Sequence, residues 1–404
     1  MPDNKSPVVL AFSGGLDTSF CVPWLREETG RPVVTVTVDT GGLDDAARQA
    51  LAERSRRLGA GAHRLVDARR AFFDETLRWL IAGNVLRGQM YPLCVGAERG
   101  LQARIVAEVA REIGAGAVAH GCTAAGNDQV RFEVALRTLA PELEIIAPIR
   151  DGGFSREAEI EYLGRHGLAW PAARGAYSIN QGLWGCTIGG RETNDTIASI
   201  PESAWVMTKR AFDIPRVPVS LTVAFERGVP VSIDGNPQGP VALIEALNAR
   251  AGSYGIGRGI HLGDTIFGLK GRVAFEAPAA MLLIAAHREL EKLVLTGRQQ
   301  RVKDQLATIY GDLVHEGQFH EPACRDIEAL FASTQERVTG QAKVQLRPGS
   351  VFVEGVASPF SLKAASRAVY GEAAGEWTAS DARGFSRMLA LPGMLAARAG
   401  KAGA

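Results

Sequence analysis

Nine residues close to the start of the chain decide its fold. They follow the apolar run Val-Val-Leu at residues 8–10 and read Ala11, Phe12, Ser13, Gly14, Gly15, Leu16, Asp17, Thr18 and Ser19. A strand that ends in Ser-Gly-Gly and then opens a helix leaves several backbone N–H groups unpaired and directed at one point. The two glycines allow positive φ and a close approach to an anion, and the hydroxyl groups supply further donors. The stretch therefore predicts a phosphate-binding loop between a strand and a helix.

The order of residues in this loop excludes two common nucleotide-binding motifs. A Walker loop needs Gly-Lys before Ser or Thr, and the dinucleotide fingerprint needs Gly-x-Gly-x-x-Gly. The observed Ser-Gly-Gly-x-Asp-Thr pattern instead resembles the loop of the N-type ATP pyrophosphatases. That resemblance implies a cradle for the pyrophosphate that leaves when ATP adenylates a substrate. The alternative is an ordinary glycine-rich turn in which Asp17 caps the helix.

Size and composition limit the classes of protein to which the chain can belong. Its 404 residues suggest about two domains, and a content of 46% apolar and 22% charged residues is typical of a soluble globular protein. A net charge of +1 gives no field that would gather nucleic acid or an anionic membrane. The expected partners are therefore small molecules and copies of the chain itself.

The cysteines and the N-terminus indicate the cellular compartment in which the protein is expected. Five cysteines are scattered without metal-ligand spacing, which predicts reduced thiols and no zinc site. No apolar stretch reaches the roughly 18 residues needed to cross a bilayer, and the N-terminus lacks the apolar region of a signal peptide. We therefore expect a cytoplasmic protein with no membrane partner.

The first part of the chain has the pattern of an α/β fold with a parallel, doubly wound sheet. Short β-branched runs alternate with helical patterns from residue 8 to about residue 168, as expected for strands covered by helices on both faces. Strands are predicted at 8–12, 33–39, 63–67, 117–120 and 145–147, and helices at 18–28, 44–58, 71–86, 97–113 and 129–139.

The pattern changes after residue 168. A hairpin is predicted over 219–226 and 231–234, a second one turns at Pro348-Gly349, and helices are predicted at 240–250, 278–295 and 299–314. A last helix over 380–398 is expected to break at Pro392-Gly393 and to pack either on another subunit or on its own core. We therefore divide the chain into a nucleotide-binding domain (1–168), an α+β synthetase domain (169–375) and a C-terminal oligomerisation helix with its tail (376–404).

A second polar segment lies where the fourth strand is predicted to end, at residues 119–133. The carboxyl ends of strands build the ligand crevice of a doubly wound sheet, so this loop should face the glycine-rich loop. Thr123, Asn127 and Asp128 offer a hydroxyl, an amide and a carboxylate, which suit a zwitterionic amino acid. Arg131 lies one helical turn after Asn127, so both can reach one carbonyl-bearing group. The alternative is that Asn-Asp caps the helix and that Arg131 is a surface charge.

The two loops together resemble those of the argininosuccinate synthase family. Further matches are Tyr91, Tyr177-Ser178, Leu183-Trp184-Gly185, Tyr254 to Arg258, Gly268 to Arg272 and Val344 to Gly349, so the resemblance covers nearly the whole chain. It implies an AMP-forming ligase that uses ATP to adenylate the ureido oxygen of citrulline and then lets the amine of aspartate displace AMP. No nucleophilic side chain is required, because positioning and neutralisation of phosphate charge suffice.

The resemblance also implies roles for individual residues. It assigns residues 11–19, Val38 and Gly121 to ATP, and it assigns Thr123, Asn127 and Asp128 to aspartate. The acceptor positions are Tyr91, Asn127, Arg131, Ser178, Thr187, Gly263 and Phe275. Asp17, Asp128 and Arg131 are the catalytic candidates. Mg²⁺ is expected on the pyrophosphate with Asp17 orienting it, although no side chain is assigned as a direct metal ligand. Lys270 and Arg272 are weaker candidates for phosphate contacts, and a homotetramer is implied.

The chain departs from the family pattern around the acceptor. The family's Gly-Thr-Ser becomes Cys94-Val95-Gly96, its Val-Glu-Asn-Arg becomes residues 262–265 with Gly263 in place of Glu, and its Tyr becomes Phe275. The lost groups belong to the amino-acid end of citrulline, and unpaired charges there would cost about 2–5 kcal/mol. We therefore hypothesise an acceptor with a urea, carbamoyl or amide carbonyl but without a free citrulline-type head. The alternative is ordinary argininosuccinate synthesis, with Asp264 replacing the glutamate and Thr187 donating a hydroxyl.

Other classes of function remain open at this point. An ammonia-using amidating synthetase or a tRNA thiolase would share the glycine-rich loop, but no basic RNA-binding extension is visible. A catalytically inactive protein that binds ATP or aspartate is a third possibility, and a test for AMP formation distinguishes it. His120, beside the second loop, is expected to be a packed histidine rather than a catalytic one.

Overall fold

Strands and helices alternate through the first part of the chain. The computed structural model describes residues 6–170, 177–372 and 374–402. The strands are β1 (Val8–Ala11), β2 (Val33–Asp39), β3 (Ala62–Asp67), β4 (Ala117–His120) and β5 (Glu144–Ile146). The helices are α1 (Leu16–Thr29), α2 (Asp45–Arg57), α3 (Arg69–Phe72), α4 (Arg78–Ala82), α5 (Arg99–Glu112), α6 (Asn127–Leu139), α7 (Pro148–Gly152) and α8 (Arg156–Arg165).

The five strands form one parallel sheet in the order β3-β2-β1-β4-β5. Alternate side chains of β1 enter different cores, because Val8 and Leu10 pack with α1 whereas Val9 packs with α5 and α6. Helices therefore cover both faces, and the predicted doubly wound α/β fold is confirmed. The register pairs Ala11 with His120, so the loops that follow β1 and β4 leave the sheet side by side.

The helix predicted over residues 71–86 differs from the observed one. It consists of α3 and α4 joined by a π-helical turn over Phe73–Leu77, and it ends at Ala82. The wider turn keeps Phe72, Phe73 and Leu77 buried in one core. The periodicity of the sequence predicts helix here but not the extra residue that a π turn absorbs.

The second part of the chain forms two antiparallel sheets and several helices. Its strands are β6 (Ser178–Gly182), β7 (Gly185–Gly189), β8 (Val219–Glu226), β9 (Val229–Ile233), β10 (Asn236–Pro237), β11 (Arg258–Asp264), β12 (Lys270–Glu276), β13 (Gly340–Arg347) and β14 (Ser350–Ala357). Its helices are α9 (Pro240–Gly252), α10 (Pro278–Val294), α11 (Gly297–His315), α12 (Pro322–Gln335), α13 (Leu362–Ala365) and α14 (Ala379–Ala402). Both predicted hairpins are confirmed, as β8–β9 and as β13–β14.

A four-stranded sheet in the order β11-β12-β7-β6 supplies one wall of the site, and it was not predicted. Its register places Thr187 opposite Phe275 and Gly263 opposite Gly271. Because side chains alternate along a strand, His261, Gly263 and Phe275 share one face with Thr187. The opposite face carries Cys186, Ile188 and Ala274, which pack on Trp205.

The largest apolar core joins the two parts of the chain. It combines buried residues between 68 and 105 with buried residues between 183 and 346, among them Phe72, Leu80, Leu283 and Phe331. Since α4 packs on both α10 and α12, the start of the loop after α4 is anchored to the second part of the chain. That loop carries Tyr91 and Gly96.

The predicted break in the last helix is wrong. Helix α14 runs from Ala379 to Ala402 with Pro392 inside it. The neighbouring Ala, Leu, Met and Arg residues are strong helix formers, and α14 is exposed, so water can satisfy the carbonyl that the proline leaves unbonded. Phe385 and Leu389, one turn apart, are 68% and 70% exposed. Among the described residues, no helix is long and apolar enough to cross a membrane.

Candidate active site

The glycine-rich loop has the geometry of a phosphate cradle. Gly14 has φ +70°, and Gly15 is the N-cap of α1 without a side-chain capping bond. The Oγ atoms of Ser13 and Thr18 lie 3.2 Å apart at the exposed mouth of the loop. The first-turn N–H groups of a helix have no intrahelical acceptors, so they point outward together with these hydroxyls. Asp17 lies in the first turn and does not cap the helix, so the capping alternative is wrong.

The remaining loop residues are packed beneath this mouth. Ala11 ends β1, Phe12 and Leu16 are buried, and Ser19 is fully buried. The Oγ of Ser19 has no hydrogen-bond partner within the described part of the chain. The loop therefore combines exposed donors with a rigid base.

The loop after β4 lies directly against the glycine-rich loop, as predicted. A Cβ on Gly121 would stand 3.0 Å from Thr18 Cγ2 and 3.1 Å from Thr18 N, so the two loops pack tightly at this glycine. Val38 lies near the end of β2, the strand beside β1, and is partly buried. His120 is 1% exposed and stacks on Phe132, and burial lowers its pKa to about 4, which agrees with a packed histidine.

A second carboxyl group accompanies Asp17, and sequence reasoning did not find it. Glu159 in α8 is 3% exposed and hydrogen-bonds to Asp17. Burial, and then the charge of Asp17, raise the pKa of Glu159 to about 8. Its Oε2 has no hydrogen-bond partner among the described residues. Glu159 therefore keeps its proton at neutral pH, and a cation bound beside it could displace that proton.

Asp128 lies between two arginines. Its carboxylate is 3.0 Å from Arg99 and 2.7 Å from Arg131. Burial opposes ionisation of Asp128, but the two guanidinium groups outweigh it and hold the pKa of Asp128 below its ordinary value. Arg131 is 8% exposed and also donates through Nε to the carbonyl oxygen of His315 at 2.7 Å, so it is not a surface charge. Arg99 and His315 were not predicted as site residues.

Asn127 connects this ion pair to the four-stranded sheet. It is the first residue of α6, where Gly126 is the N-cap, so the interpretation of Asn127 as a helix cap is wrong. Its Oδ1 accepts a hydrogen bond from Ile266 N in the turn between β11 and β12, at 3.0 Å. Thr123 lies exposed on the preceding loop. The structure thus brings the predicted aspartate-binding residues to one edge of the crevice.

The predicted acceptor residues come from three places: the loop after α4, helix α6 and the four-stranded sheet. Tyr91 is 7% exposed, stacks on His261 at 5.5 Å between ring centroids and contacts Phe275 at 5.2 Å. A Cβ on Gly96 would stand 3.4 Å from Arg131 Cζ. Thr187 pairs with Phe275 across the sheet, and Ser178 is exposed on β6. His261 was not predicted, because a lone histidine in a mixed strand gives no motif.

The charged candidates near Gly263 do not enter this pocket. Asp264 forms an exposed ion pair with Lys270 at 2.6 Å and, as the neighbour of Gly263 in a strand, lies on the other face of the sheet. Arg272 donates to the backbone carbonyl oxygens of Glu192 and Ala198. Asp264 thus points away from the pocket and pairs with Lys270, while Arg272 is bound by backbone carbonyl oxygens.

Glu98 is a buried acid that lies beside Gly182 of β6. It is 2% exposed and lies so close to Gly182 that any side chain at 182 would overlap its carboxyl group. Arg99 Nη1 is 3.7 Å away, and Gln102 donates to Glu98 Oε2 at 3.4 Å. Burial raises the pKa of Glu98 to about 7 despite the charge of Arg99.

These features define a class of protein before any comparison is made. A parallel α/β sheet with a phosphate cradle, next to a polar pocket built partly by a second sheet, is the arrangement of an ATP-using synthetase.

Comparisons with known proteins give the family. The model for the "Arginosuccinate synthase N-terminal HUP domain" matches residues 7–169, and that for the "Arginosuccinate synthase C-terminal domain" matches residues 177–396. The argininosuccinate synthase of Pyrobaculum aerophilum is 42% identical over 398 residues, which cover 98% of this chain and 99% of that protein. The enzyme of Dictyoglomus turgidum is 39% identical over 399 residues, with 98% and 99% coverage. That of Methanocaldococcus jannaschii is 41% identical over 354 residues, with 88% and 89% coverage.

The chain therefore belongs to the argininosuccinate synthase family. Members of this family are ATP-dependent ligases that form C–N bonds, so the amidating synthetase, the thiolase and the inactive binding protein are not favoured.

The phosphate cradle predicts that alanine substitutions at two glycines will have different effects on ATP binding. The substitution Gly14→Ala puts a side chain at φ +70° and overlaps Leu51 Cδ2, whereas Gly30→Ala meets a similar φ of +65° with nothing within 4 Å. Backbone strain of about 1–3 kcal/mol is common to both variants. We expect G14A to weaken ATP binding at least about tenfold and G30A to leave it unchanged, as measured by calorimetry. Equal ATP affinities of the two variants would contradict the assignment of the loop.

Glu98 predicts a pH dependence of stability. Its folded pKa of about 7 lies above the ordinary 4.5, so the folded protein holds a proton that the unfolded chain releases. This contribution is complete at low pH and is lost as pH rises from about 4.5 to 7, by about 3 kcal/mol. Glu98→Gln removes the charge, so denaturant unfolding should show similar stability at pH 5 and a more stable variant at pH 8. Parallel stability curves would show that Glu98 is not buried as a titrating acid.

Proposed function

We propose that the protein condenses aspartate with a ureido carbonyl group in two steps. In the first, the carbonyl oxygen attacks the α-phosphorus of ATP, and pyrophosphate leaves. In the second, the amine of aspartate attacks the activated carbon, loses a proton, and AMP leaves with the oxygen. The observation that carries this proposal is the contact between the phosphate cradle and the loop that leads to Asp128 and Arg131. Both steps need positioning and charge neutralisation rather than a side-chain nucleophile.

The residue roles follow from position. Residues 11–19, Val38 and Gly121 bind ATP, because they surround the cradle at the ends of β1, β2 and β4. Thr123, Asn127 and Asp128 bind aspartate, and the carboxylate of Asp128 accepts from its ammonium group with the lone pairs that Arg99 and Arg131 leave free. Tyr91, Asn127, Arg131, Ser178, Thr187, Gly263 and Phe275 line the acceptor pocket.

Mg²⁺ fits the cradle as a companion of the phosphates. Within the described ranges, no group of three or more His, Cys, Asp or Glu side chains could hold a metal ion alone. Asp17 and the unpartnered oxygen of Glu159 would offer carboxylate oxygens to an ion bound with the phosphates. Such an ion supplies neutralisation of the charge on the leaving pyrophosphate.

The acceptor pocket argues against citrulline as the preferred acceptor. Gly263 stands where the family pattern has a glutamate, and Asp264 pairs with Lys270 instead of replacing it. An ammonium group in this pocket would lose its hydration without gaining a carboxylate, at a cost of about 2–5 kcal/mol. We therefore propose an acceptor with a urea or a related carbonyl group and no free ammonium group.

The assembly is proposed to be a cytoplasmic homotetramer. Helix α14 exposes the apolar side chains of Phe385, Met388, Leu389 and Leu395. A contiguous exposed apolar stripe on a terminal helix is typical of an interface between copies.

The reaction is tested with purified protein, ATP, Mg²⁺, aspartate and a urea-bearing acceptor. We expect AMP and pyrophosphate in equal amounts only when aspartate and the acceptor are both present. Asp128→Asn should raise the KM for aspartate at least about tenfold, because a charge-assisted hydrogen bond to the ammonium group is lost. ATP cleavage supported by ammonia in place of aspartate would contradict the proposal.

The assembly is tested by multi-angle light scattering. The wild-type protein should have about four times the chain mass of 43.0 kDa. The double substitution Phe385→Glu and Leu389→Glu should lower that mass, because it places two charges on the apolar stripe. Arg387→Glu changes charge on the opposite side of α14 and should leave the mass unchanged. A monomeric wild-type protein would contradict the proposed tetramer.

A further inference from the structure

We propose that His315, together with His261, binds a carboxylate group of the acceptor, so that the substrate is a ureido acid without an ammonium group. This inference rests on the proposed function and names the chemistry of its acceptor. The two histidines come from α11 and β11, and they border Arg131 and Tyr91 respectively.

The hydrogen bonds of His315 determine where its proton lies. Nδ1 of His315 is 3.2 Å from Nη2 of Arg131. A guanidinium group can only donate, so Nδ1 must accept, and Nε2 of the neutral ring therefore carries the hydrogen. His315 thus presents an N–H donor on the side of the ring away from Arg131.

That donor is buried and has no acceptor. His315 is 7% exposed, and its Nε2 has no hydrogen-bond partner among the described residues. Nε2 of His261 also has no hydrogen-bond partner among the described residues, and its ring stacks on Tyr91 and lies against Gly263, so a neutral ring can place its hydrogen on Nε2 when an acceptor is present. A buried donor without an acceptor costs about 1–3 kcal/mol, so a ligand that accepts from these groups recovers that cost.

The charges around the two histidines favour an anion. Burial, and then the charges of Arg131, Arg87 and His261, lower the pKa of His315 to about 3. Burial and Arg87 also lower the pKa of His261. These basic groups therefore lie close enough to repel a further positive charge.

The nearby acids already have basic partners. Asp128 binds Arg99 and Arg131, Asp312 binds Arg87 at 2.8 Å, and Asp264 binds Lys270. Glu98 contacts Arg99 and Gln102. A carboxylate would accept from the Nε2–H groups in the field of Arg131, whereas Nε2–H of His315 and the guanidinium group of Arg131 offer an ammonium group no acceptor.

Four acceptors that share one four-carbon ureido chain test the inference. The compound 5-ureidopentanoate is citrulline without its ammonium group, N-carbamoylputrescine keeps an ammonium group without a carboxylate, and n-butylurea has neither. With aspartate and ATP, we expect the ureido acid to give a kcat/KM at least about tenfold above those for citrulline and for both other ureas. Preference for citrulline, or equal use of n-butylurea, would overturn this inference and leave the ligase assignment intact. AMP formation with none of the four would overturn both.

Matched substitutions identify the groups that bind the carboxylate. His315→Asn keeps an acceptor near Nδ1 but removes the donor at Nε2, whereas His315→Gln keeps a donor near Nε2. We expect H315N to raise the KM for the ureido acid at least about tenfold with an unchanged KM for aspartate, and H315Q to retain most of the affinity. His261→Asn and His261→Gln form a second pair with the same expectation.

The control is His166→Asn. His166 is an exposed histidine that pairs with Glu27 and is not one of the proposed site residues, so this substitution should leave both KM values unchanged. Binding of ATP to each variant, measured by calorimetry, shows that it is folded. If H315N does not fold, the comparison of His261→Asn with His261→Gln tests the inference instead. Equal effects of Asn and Gln, or a raised KM for aspartate in place of the ureido acid, would overturn the proposed role.

Discussion

The ion pairs that hold Asp128 between Arg99 and Arg131 connect three helices that border the site. Arg99 belongs to α5, Asp128 and Arg131 belong to α6, and Arg131 continues to His315 at the end of α11. Buried charges of this kind contribute little net stability when paired, but removing one partner leaves the others uncompensated at a cost of about 3–5 kcal/mol. The arrangement therefore fixes the distance between the nucleotide half and the acceptor half of the crevice.

The parallel sheet could be predicted from the sequence because its signals are local. Runs such as 33–39 are β-branched and continuous, as expected for strands buried on both faces, and turn residues separate them from helices. The four-stranded sheet could not be predicted in this way. Its strands are rich in glycine and polar residues, and β7 pairs with β12 across almost ninety positions of sequence, from Thr187 to Phe275. Only tertiary packing, such as Phe275 on Tyr91, makes those segments strands.

The residues of the candidate site also fall into two groups, those that could be predicted from the sequence and those that needed the structure. Gly14 and Gly15 could be found from sequence because backbone geometry near a phosphate permits few other residues, whereas Gly121 was assigned through the family resemblance. Arg99, Glu159, His261 and His315 could not, since each reaches the site from an element that carries no motif of its own. The question whether Asp264 replaces the missing glutamate also needed the structure, because it depends on the face of β11 on which that side chain lies.

This division has a physical consequence for how such a protein can change its substrate. The phosphate cradle is built from backbone N–H groups and glycines, so a side chain there can introduce strain and overlap, as at Gly14 against Leu51. The acceptor wall is built from side chains on a sheet, and exchanging them alters hydrogen-bond donors and charges without moving the backbone. Under the proposed assignment, a glycine at 263 in place of the family's glutamate, together with donors at His261 and His315, reverses the charge that the pocket prefers. The energetics of ATP cleavage can thus stay constant while the acceptor changes, because the acceptor side chains on β11 and β12 belong to a different sheet from the cradle, which lies at the ends of β1 and β4.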